Sequence, residues 1–247
     1  MKFISSIFLA FFFLTTALFA QQQVDNYGKP LIVLVETNPW LMVIGSDTPS
    51  FVLYEKGRVI YKKIEGDKSK ILEARLSSEE SKQFLESLAL SDKFYNLPDN
   101  IEAVSFTDQP SNDLYVSVEK KKKVSVYGSL AADGSARKNT PPEFLTVYDK
   151  LKKFDRASAK EWLPEKIEVM FWDYSYASKT KKWLPEFSDL NSPSTVKRSS
   201  GMYSVFIDSK DFAKFRSFYN SLEEKQAVEI NGKKMAVSYR FPFPNLF

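Results

Sequence analysis

The sequence predicts an α+β fold in which antiparallel β-hairpins are combined with about three helices. Three observations support this prediction. Short β-branched runs are separated by turn residues, as at residues 51–54 and 58–64 on either side of Gly57. Capping patterns introduce helical segments after Ser77 and Thr140. The chain has no glycine-rich dinucleotide turn and no regular βαβ alternation, so a doubly wound fold is not expected.

The first half of the chain contains the signals for further strands and two helices. Apolar runs at residues 31–35 and 71–76 predict strands, and apolar alternation on both sides of the lysine run 120–123 predicts a hairpin with an exposed tip. A helix over residues 78–89 follows a capping box of Ser77 and Glu80. A second helix follows a capping box at Thr140, with proline at its first helical position.

The second half is predicted to hold strands at residues 167–174 and 203–207, a loop at 191–200 and one helix. Asp208 or Ser209 is the predicted cap of that helix. The last hairpin is the most sharply defined. Asn231-Gly232 is a type I′ turn signal, which places Val228 opposite Met235 on the buried face and Glu229 opposite Lys234 on the other. The proline-rich end of the chain is expected to pack on the folded protein.

The N-terminus has the order of regions found in a signal peptide. Lys2 is followed by residues 4–19 without a charge, and Ala20 offers a cleavage site before a polar segment. We therefore interpret residues 1–20 as an export signal, the alternative being an uncleaved membrane anchor. No other segment is apolar enough to span a bilayer, and the absence of cysteine excludes a lipoprotein. The predicted location is the periplasm or the exterior of the cell.

The remaining chain is divided at a polar stretch that ends in Leu163-Pro164. This division gives an N-terminal α+β domain over residues 21–160 and a C-terminal one over 161–247, and a single continuous domain is the alternative.

Composition excludes most familiar catalytic chemistry. With neither histidine nor cysteine, the chain has no Ser-His-Asp triad, no thiolate and no imidazole metal ligand. Catalysis could use only Asp, Glu, Lys, Tyr or a Ser-Lys pair, and no catalytic, cofactor or metal residues are predicted. Four Ser-x-x-Lys matches have the frequency of chance, and Asp108, Asp113 and Asp173 are typical turn or surface acids. The formal net charge of +4 is too small to indicate nucleic-acid binding.

One aromatic segment indicates a binding surface. Trp172, Tyr174 and Tyr176 alternate along a predicted strand, and Trp183 follows in the next loop. We predict that these four residues bind a ligand or a partner protein. The alternative is that they are core residues of a strand covered on both faces, beneath the loop that carries Trp183.

The end of the chain also resembles part of a known group of proteins. Four segments carry the resemblance: Ile167-Glu168-Val169, Leu190-Asn191-Ser192-Pro193, Tyr203-Ser204-Val205-Phe206, and residues 227–244. They are similar to the C-terminal part of uncharacterised bacterial secreted proteins, and the resemblance implies an envelope or secreted protein without transferring any activity or site residue.

The sequence therefore predicts a non-enzymatic binding or accessory protein that contacts an envelope protein or glycan. The alternatives are an envelope hydrolase using Asp/Glu or Ser-Lys chemistry, and a purely structural envelope protein.

Overall fold

The computed structural model describes residues 26–66, 68–131, 134–199 and 201–246. In this part of the chain, two β-sheets are each packed against helices, and most strand pairs are antiparallel. The predicted α+β class is therefore confirmed. The predicted signal peptide at residues 1–20 lies outside the described residues.

The first sheet is built from the first two thirds of the chain. Its strands are β1 (Pro30–Glu36), β2 (Phe51–Tyr54), β3 (Arg58–Glu65), β4 (Lys68–Arg75), β5 (Asn100–Glu102), β6 (Ser111–Ser117), β7 (Lys121–Tyr127) and β8 (Lys160–Glu161). They lie in the order β5-β7-β6-β1-β2-β3-β4-β8. Only β5 and β7 run in parallel among the described strand pairs of this sheet. The strands predicted at residues 31–35, 51–54, 58–64 and 71–76 and the hairpin around the lysine run all fall on these elements.

Four helices pack on one face of the first sheet: α1 (Ser78–Ser87), α2 (Asp92–Tyr95), α3 (Ser135–Lys138) and α4 (Pro142–Lys152). Their buried residues, such as Leu88, Phe94 and Phe144, form one core with strand residues that include Ile32 and Phe51. Because strand side chains alternate between faces, this core takes every second residue of β1 and β2. The opposite residues form a smaller cluster on the other face.

The two predicted capping boxes have different outcomes. At α1 the box is present, because the Glu80 amide donates to Ser77 Oγ at 3.2 Å and the Ser77 amide donates to Glu80 Oε2 at 2.8 Å. At α4 the prediction is wrong. The Thr140 hydroxyl donates to the carbonyl of Ala136 at 2.8 Å, so it closes the end of α3 instead, and Pro142 is the first helical residue.

The second sheet is built from the last third of the chain. Its strands are β9 (Lys166–Asp173), β10 (Thr180–Lys182), β11 (Val196–Ser199), β12 (Met202–Asp208), β13 (Ala227–Ile230) and β14 (Lys233–Arg240), in the order β10-β13-β14-β9-β12-β11. The loop predicted at residues 191–200 is therefore partly wrong, since β11 pairs with β12. The last hairpin is confirmed in register, with Val228 opposite Met235 and Glu229 opposite Lys234.

One helix, α5 (Phe212–Asn220), covers the inner face of the second sheet. Phe215 and Phe218 are buried there against Val169 and Phe171 of β9. The predicted cap by Asp208 or Ser209 is wrong, because a 3₁₀ turn at Ser209–Asp211 precedes the helix without a side-chain capping bond. Such turns satisfy terminal backbone groups without a polar side chain.

The chain passes from the first sheet to the second between Glu161 and Lys166. Two further segments also join the two sheets. The loop of residues 37–50, between β1 and β2, reaches the outer face of the second sheet. The end of the chain returns to the first sheet, where Phe243 packs against Trp162 at 4.9 Å between ring centroids. The Tyr54 hydroxyl donates to the carbonyl of Pro244 at 2.9 Å. The expected packing of the proline-rich end is thus confirmed.

Candidate binding surface

The second sheet separates the four aromatic residues predicted to bind a ligand. Trp183 lies on the inner face, where it is only 8% exposed and its ring centroid is 5.1 Å from that of Phe171. Its indole N–H donates to the carbonyl of Ser188 at 2.9 Å. Trp183 is therefore a core residue, and its grouping with the other three aromatic residues is corrected.

The other three aromatic residues lie on or beside the outer face. Trp172 and Tyr174 are half-buried and pack against a small cluster formed by Met170, Ala236 and Val43. Tyr176 follows the end of β9 and is 82% exposed, and its ring meets that of Tyr174 edge to face at 4.8 Å. The sequence thus placed three of the four residues on one surface, with Tyr176 the most accessible.

The loop 37–50 extends this surface with apolar side chains. Val43 is completely buried on the second sheet, whereas Trp40 is 73% exposed and Ile44 is 67% exposed. Met42 is exposed as well. Exposing large apolar residues beside one packed cluster costs solubility, so such surfaces are candidate interaction sites. We call this set the apolar patch and define it by Trp40, Met42, Ile44, Trp172, Tyr174 and Tyr176.

Polar contacts hold the loop in place. The Ser46 hydroxyl lies 2.6 Å from the carbonyl of Val43 and 2.7 Å from the Ser238 hydroxyl of β14. At the start of the loop the Asn38 amide donates to Asp47 Oδ1 at 2.8 Å, and Asn38 Oδ1 accepts from the Trp40 amide at 3.0 Å. Because both ends of the turn are bonded, the exposed apolar side chains are presented on an ordered support.

A buried carboxylate joins the loop to the sheet. Glu168 is 2% exposed and accepts hydrogen bonds from Arg198 and Ser204, each at 2.6 Å, and from Arg240 Nε at 2.7 Å. Arg240 also donates to the carbonyl of Gly45 at 3.0 Å. Burial alone would raise the pKa of Glu168, but these partners lower it below its ordinary value. The network therefore fixes the loop backbone at Gly45 against β9 and β14.

A second feature, a polar cleft of about 280 Å³, lies between the loop, the first sheet and α5. Three carboxylates line it: Glu36, Asp47 and Glu161. Burial raises the pKa of Asp47, against the lowering effect of the Asn38 amide. For Glu36, Lys152 and the hydroxyls of Ser50 and Tyr148 outweigh burial and lower the pKa. The cleft therefore contains two acids with opposite shifts, which is the pattern that acid–base chemistry uses.

A third feature is a groove of about 770 Å³ beside α1 in the first half. Its floor includes four leucines, namely Leu31, Leu76, Leu85 and Leu90. Two of its lining residues, Ser81 and Tyr95, have buried hydroxyl oxygens without a hydrogen-bond partner. Burial raises the pKa of Tyr95, and the nearby backbone amides of Glu119 and Lys120 partly oppose this rise. Neither amide forms a hydrogen bond with the Tyr95 hydroxyl.

Two of the other candidate acids have structural partners, and Asp173 accepts from the Ser175 hydroxyl at 3.1 Å. Asp113 accepts from the Ser125 hydroxyl at 2.6 Å and pairs with Lys123 at 3.2 Å. A Ser-Lys contact exists, but it joins Lys181 to Ser221 at 2.6 Å on the surface, at the end of α5. Since cations are favourable at a helix C-terminus, this contact needs no catalytic explanation.

The described residues hold no cluster of acids that could bind a metal ion. The helices among them are all too short or too polar to cross a membrane.

Comparisons with known proteins provide no family. The chain matches no protein-family model, and searches of curated proteins and of solved structures find no significant match. The resemblance of residues 167–244 to bacterial secreted proteins therefore stays a prediction.

Sequence reasoning missed half of the apolar patch. Residues 39–45 form an apolar run without a charge, Pro-Trp-Leu-Met-Val-Ile-Gly, between two predicted strands. Loops exposed to solvent are usually polar, so an apolar run between two strands indicates a segment that is buried or that binds a partner. Its contact with the second sheet, however, joins residues more than a hundred positions apart.

Proposed function

We propose that the protein is an exported, non-enzymatic binding or accessory protein of the bacterial periplasm or cell surface, and that it binds an envelope protein through the apolar patch. The observation that supports this most directly is the exposure of Trp40 and Ile44 on a loop whose Val43 packs in the same cluster as Trp172 and Tyr174. Tryptophan, tyrosine and methionine are the residues that protein interfaces enrich, and aromatic anchors supply most of their binding energy.

The composition of the patch favours a protein partner over a glycan. Sugars are held by aromatic faces together with several polar groups in a concave site, whereas the patch combines aromatic rings with the aliphatic side chains of Met42 and Ile44. A mixed aromatic and aliphatic surface is complementary to apolar side chains of another protein.

The double variant Trp40→Ser/Tyr176→Ser is expected to lose binding at least tenfold while its thermal unfolding midpoint stays within a few degrees of wild type. The loss follows because two anchors are removed, at roughly 1–2 kcal/mol each. The stability stays because both side chains are largely exposed. The measurement is a pull-down of residues 21–247 from envelope extract, followed by titration of the recovered protein. Phe106→Ser is the matched control, since Phe106 is 61% exposed and is not one of the residues that define the patch.

Recovery of one stoichiometric protein by wild type and by Phe106→Ser, but not by the double variant, supports the proposal. Equal recovery by all three variants contradicts the assignment of the patch. Recovery of glycan alone moves the ligand class from protein to carbohydrate.

The polar cleft supports a second candidate, the envelope hydrolase. Its two acids with opposite pKa shifts are the specific observation in favour. Glu36, however, already accepts from Tyr148 at 2.8 Å and from Lys152 at 2.6 Å, which assigns it a structural role. If the cleft is catalytic, wild type shortens purified peptidoglycan and Asp47→Asn loses at least a hundredfold in rate. We expect no wild-type turnover, and any cleavage abolished by Asp47→Asn would replace the binding function with the hydrolase.

A further inference from the structure

The groove beside α1 is separate from the apolar patch and has a different chemistry. Its floor is aliphatic, with four leucines and Val118, and one aromatic ring, that of Tyr95, at the side. Its volume of about 770 Å³ falls within the range that holds small ligands. An aliphatic floor offers little for stacking a sugar ring and is suited to an alkyl chain.

The buried hydroxyls add a polar requirement to this site. Ser81 Oγ and Tyr95 Oη have no hydrogen-bond partner among the described residues. Native proteins satisfy nearly all buried polar atoms, so two such atoms lining one groove call for an explanation. A ligand head group that donates and accepts hydrogen bonds supplies it.

The rim of the groove indicates the charge of that head group. Both lysines and glutamates line the groove: Lys56, Lys82, Glu55, Glu86 and Glu119. Lys82 and Glu86 lie within ion-pair distance of each other at 4.0 Å. Because the rim carries both signs, it favours neither an anionic nor a cationic head.

We infer that the groove beside α1 binds a neutral single-chain amphiphile, with its alkyl chain on the leucine floor and its polar head at Ser81 and Tyr95. This site is independent of the proposed partner surface, because none of the residues that line the groove belongs to the apolar patch. An envelope protein would meet such molecules as lipids and their breakdown products.

The test uses 1-octanol, 1-decanol and 1-dodecanol as probes, below their solubility limits, with residues 21–247 in calorimetry and in displacement of N-phenyl-1-naphthylamine. Binding at one site is expected, with affinity rising by up to about fourfold for each added methylene. Ser81→Ala is expected to weaken it by about fivefold and to fold normally, because removing an unsatisfied hydroxyl costs no hydrogen bond.

A blocking variant separates the groove from the rest of the surface. Glu86→Trp places a large ring over the groove and is expected to abolish binding. Glu79→Trp, on an exposed position of α1 that does not line the groove, is the matched control and should bind as wild type. Absence of saturable binding, or equal binding by Glu86→Trp and wild type, would overturn the inference. Trp40→Ser/Tyr176→Ser should bind the alcohols normally, so failure of this site and failure of the partner surface are distinguishable.

Discussion

Replacing Trp183 by alanine is expected to lower the free energy of unfolding by about 3–5 kcal/mol, the usual cost of truncating a buried aromatic residue. The ring lies at the centre of the inner core of the second sheet. Its centroid is 5.7 Å from that of Phe187, 6.1 Å from that of Phe215 and 5.5 Å from that of Phe218. Alanine would leave a cavity between β9 and α5 and would also leave the carbonyl of Ser188 without its indole donor.

The matched control is the same substitution at Trp40, which is 73% exposed. Trp40→Ala removes an identical side chain, yet it should change stability by less than about 0.5 kcal/mol because nothing is left unpacked. Urea unfolding followed by circular dichroism measures both variants. An unchanged urea midpoint for Trp183→Ala, together with lost partner binding, would show that Trp183 is a surface ligand residue after all.

The contrast between these tryptophans shows how far local sequence patterns reach. Alternation along β9 correctly placed Trp172 and Phe171 on opposite faces, because strand geometry is a property of consecutive residues. The face taken by Trp183 depends instead on the parallel pairing of β10 with β13, which brings Thr180 opposite Ala227. Because β10 and β13 are more than forty positions apart, the sequence around Trp183 gives no sign that they pair.

The last hairpin was predictable for the opposite reason. Asn231 and Gly232 both adopt positive φ, at 49° and 72°, as a type I′ turn requires. A two-residue turn then fixes the register of the strands on either side.

Thr140 shows where local reasoning fails even at short range. Its hydroxyl could cap α4 or close α3, and the carbonyl of Ala136, four residues earlier, is the acceptor that it reaches.

The apolar patch combines both cases. Its half at Trp172, Tyr174 and Tyr176 was predictable from alternation in the sequence, whereas its half on the loop 37–50 requires the contact between Val43 and Met170. The polar residues that secure this contact, Ser46 and Arg240, give no hint of their partners in sequence. A surface assembled from distant segments becomes visible only once both are folded together.

Replacing Arg240 by methionine is expected to destabilise the protein by about 3 kcal/mol at pH 7. The change leaves Glu168, 2% exposed, with Arg198 as its remaining cationic partner, and a buried carboxylate that loses a partner is costly. Because the folded-state pKa of Glu168 lies below its unfolded value, its stabilising contribution is present above about pH 4.3 and is lost as pH falls through the folded pKa.

In Arg240→Met the folded-state pKa of Glu168 should rise, since burial is no longer offset by Arg240. The stability difference between wild type and variant should therefore shrink as the pH is lowered from 7 to 3, which urea unfolding at several pH values measures. Lys166→Met is the control: its pair with Asp208, at 3.6 Å, is half-exposed on both sides and is worth at most about 1 kcal/mol. A loss for Arg240→Met as small as this control, or one independent of pH, would mean that Arg198 and Ser204 alone stabilise the buried charge and that the loop 37–50 does not depend on Arg240.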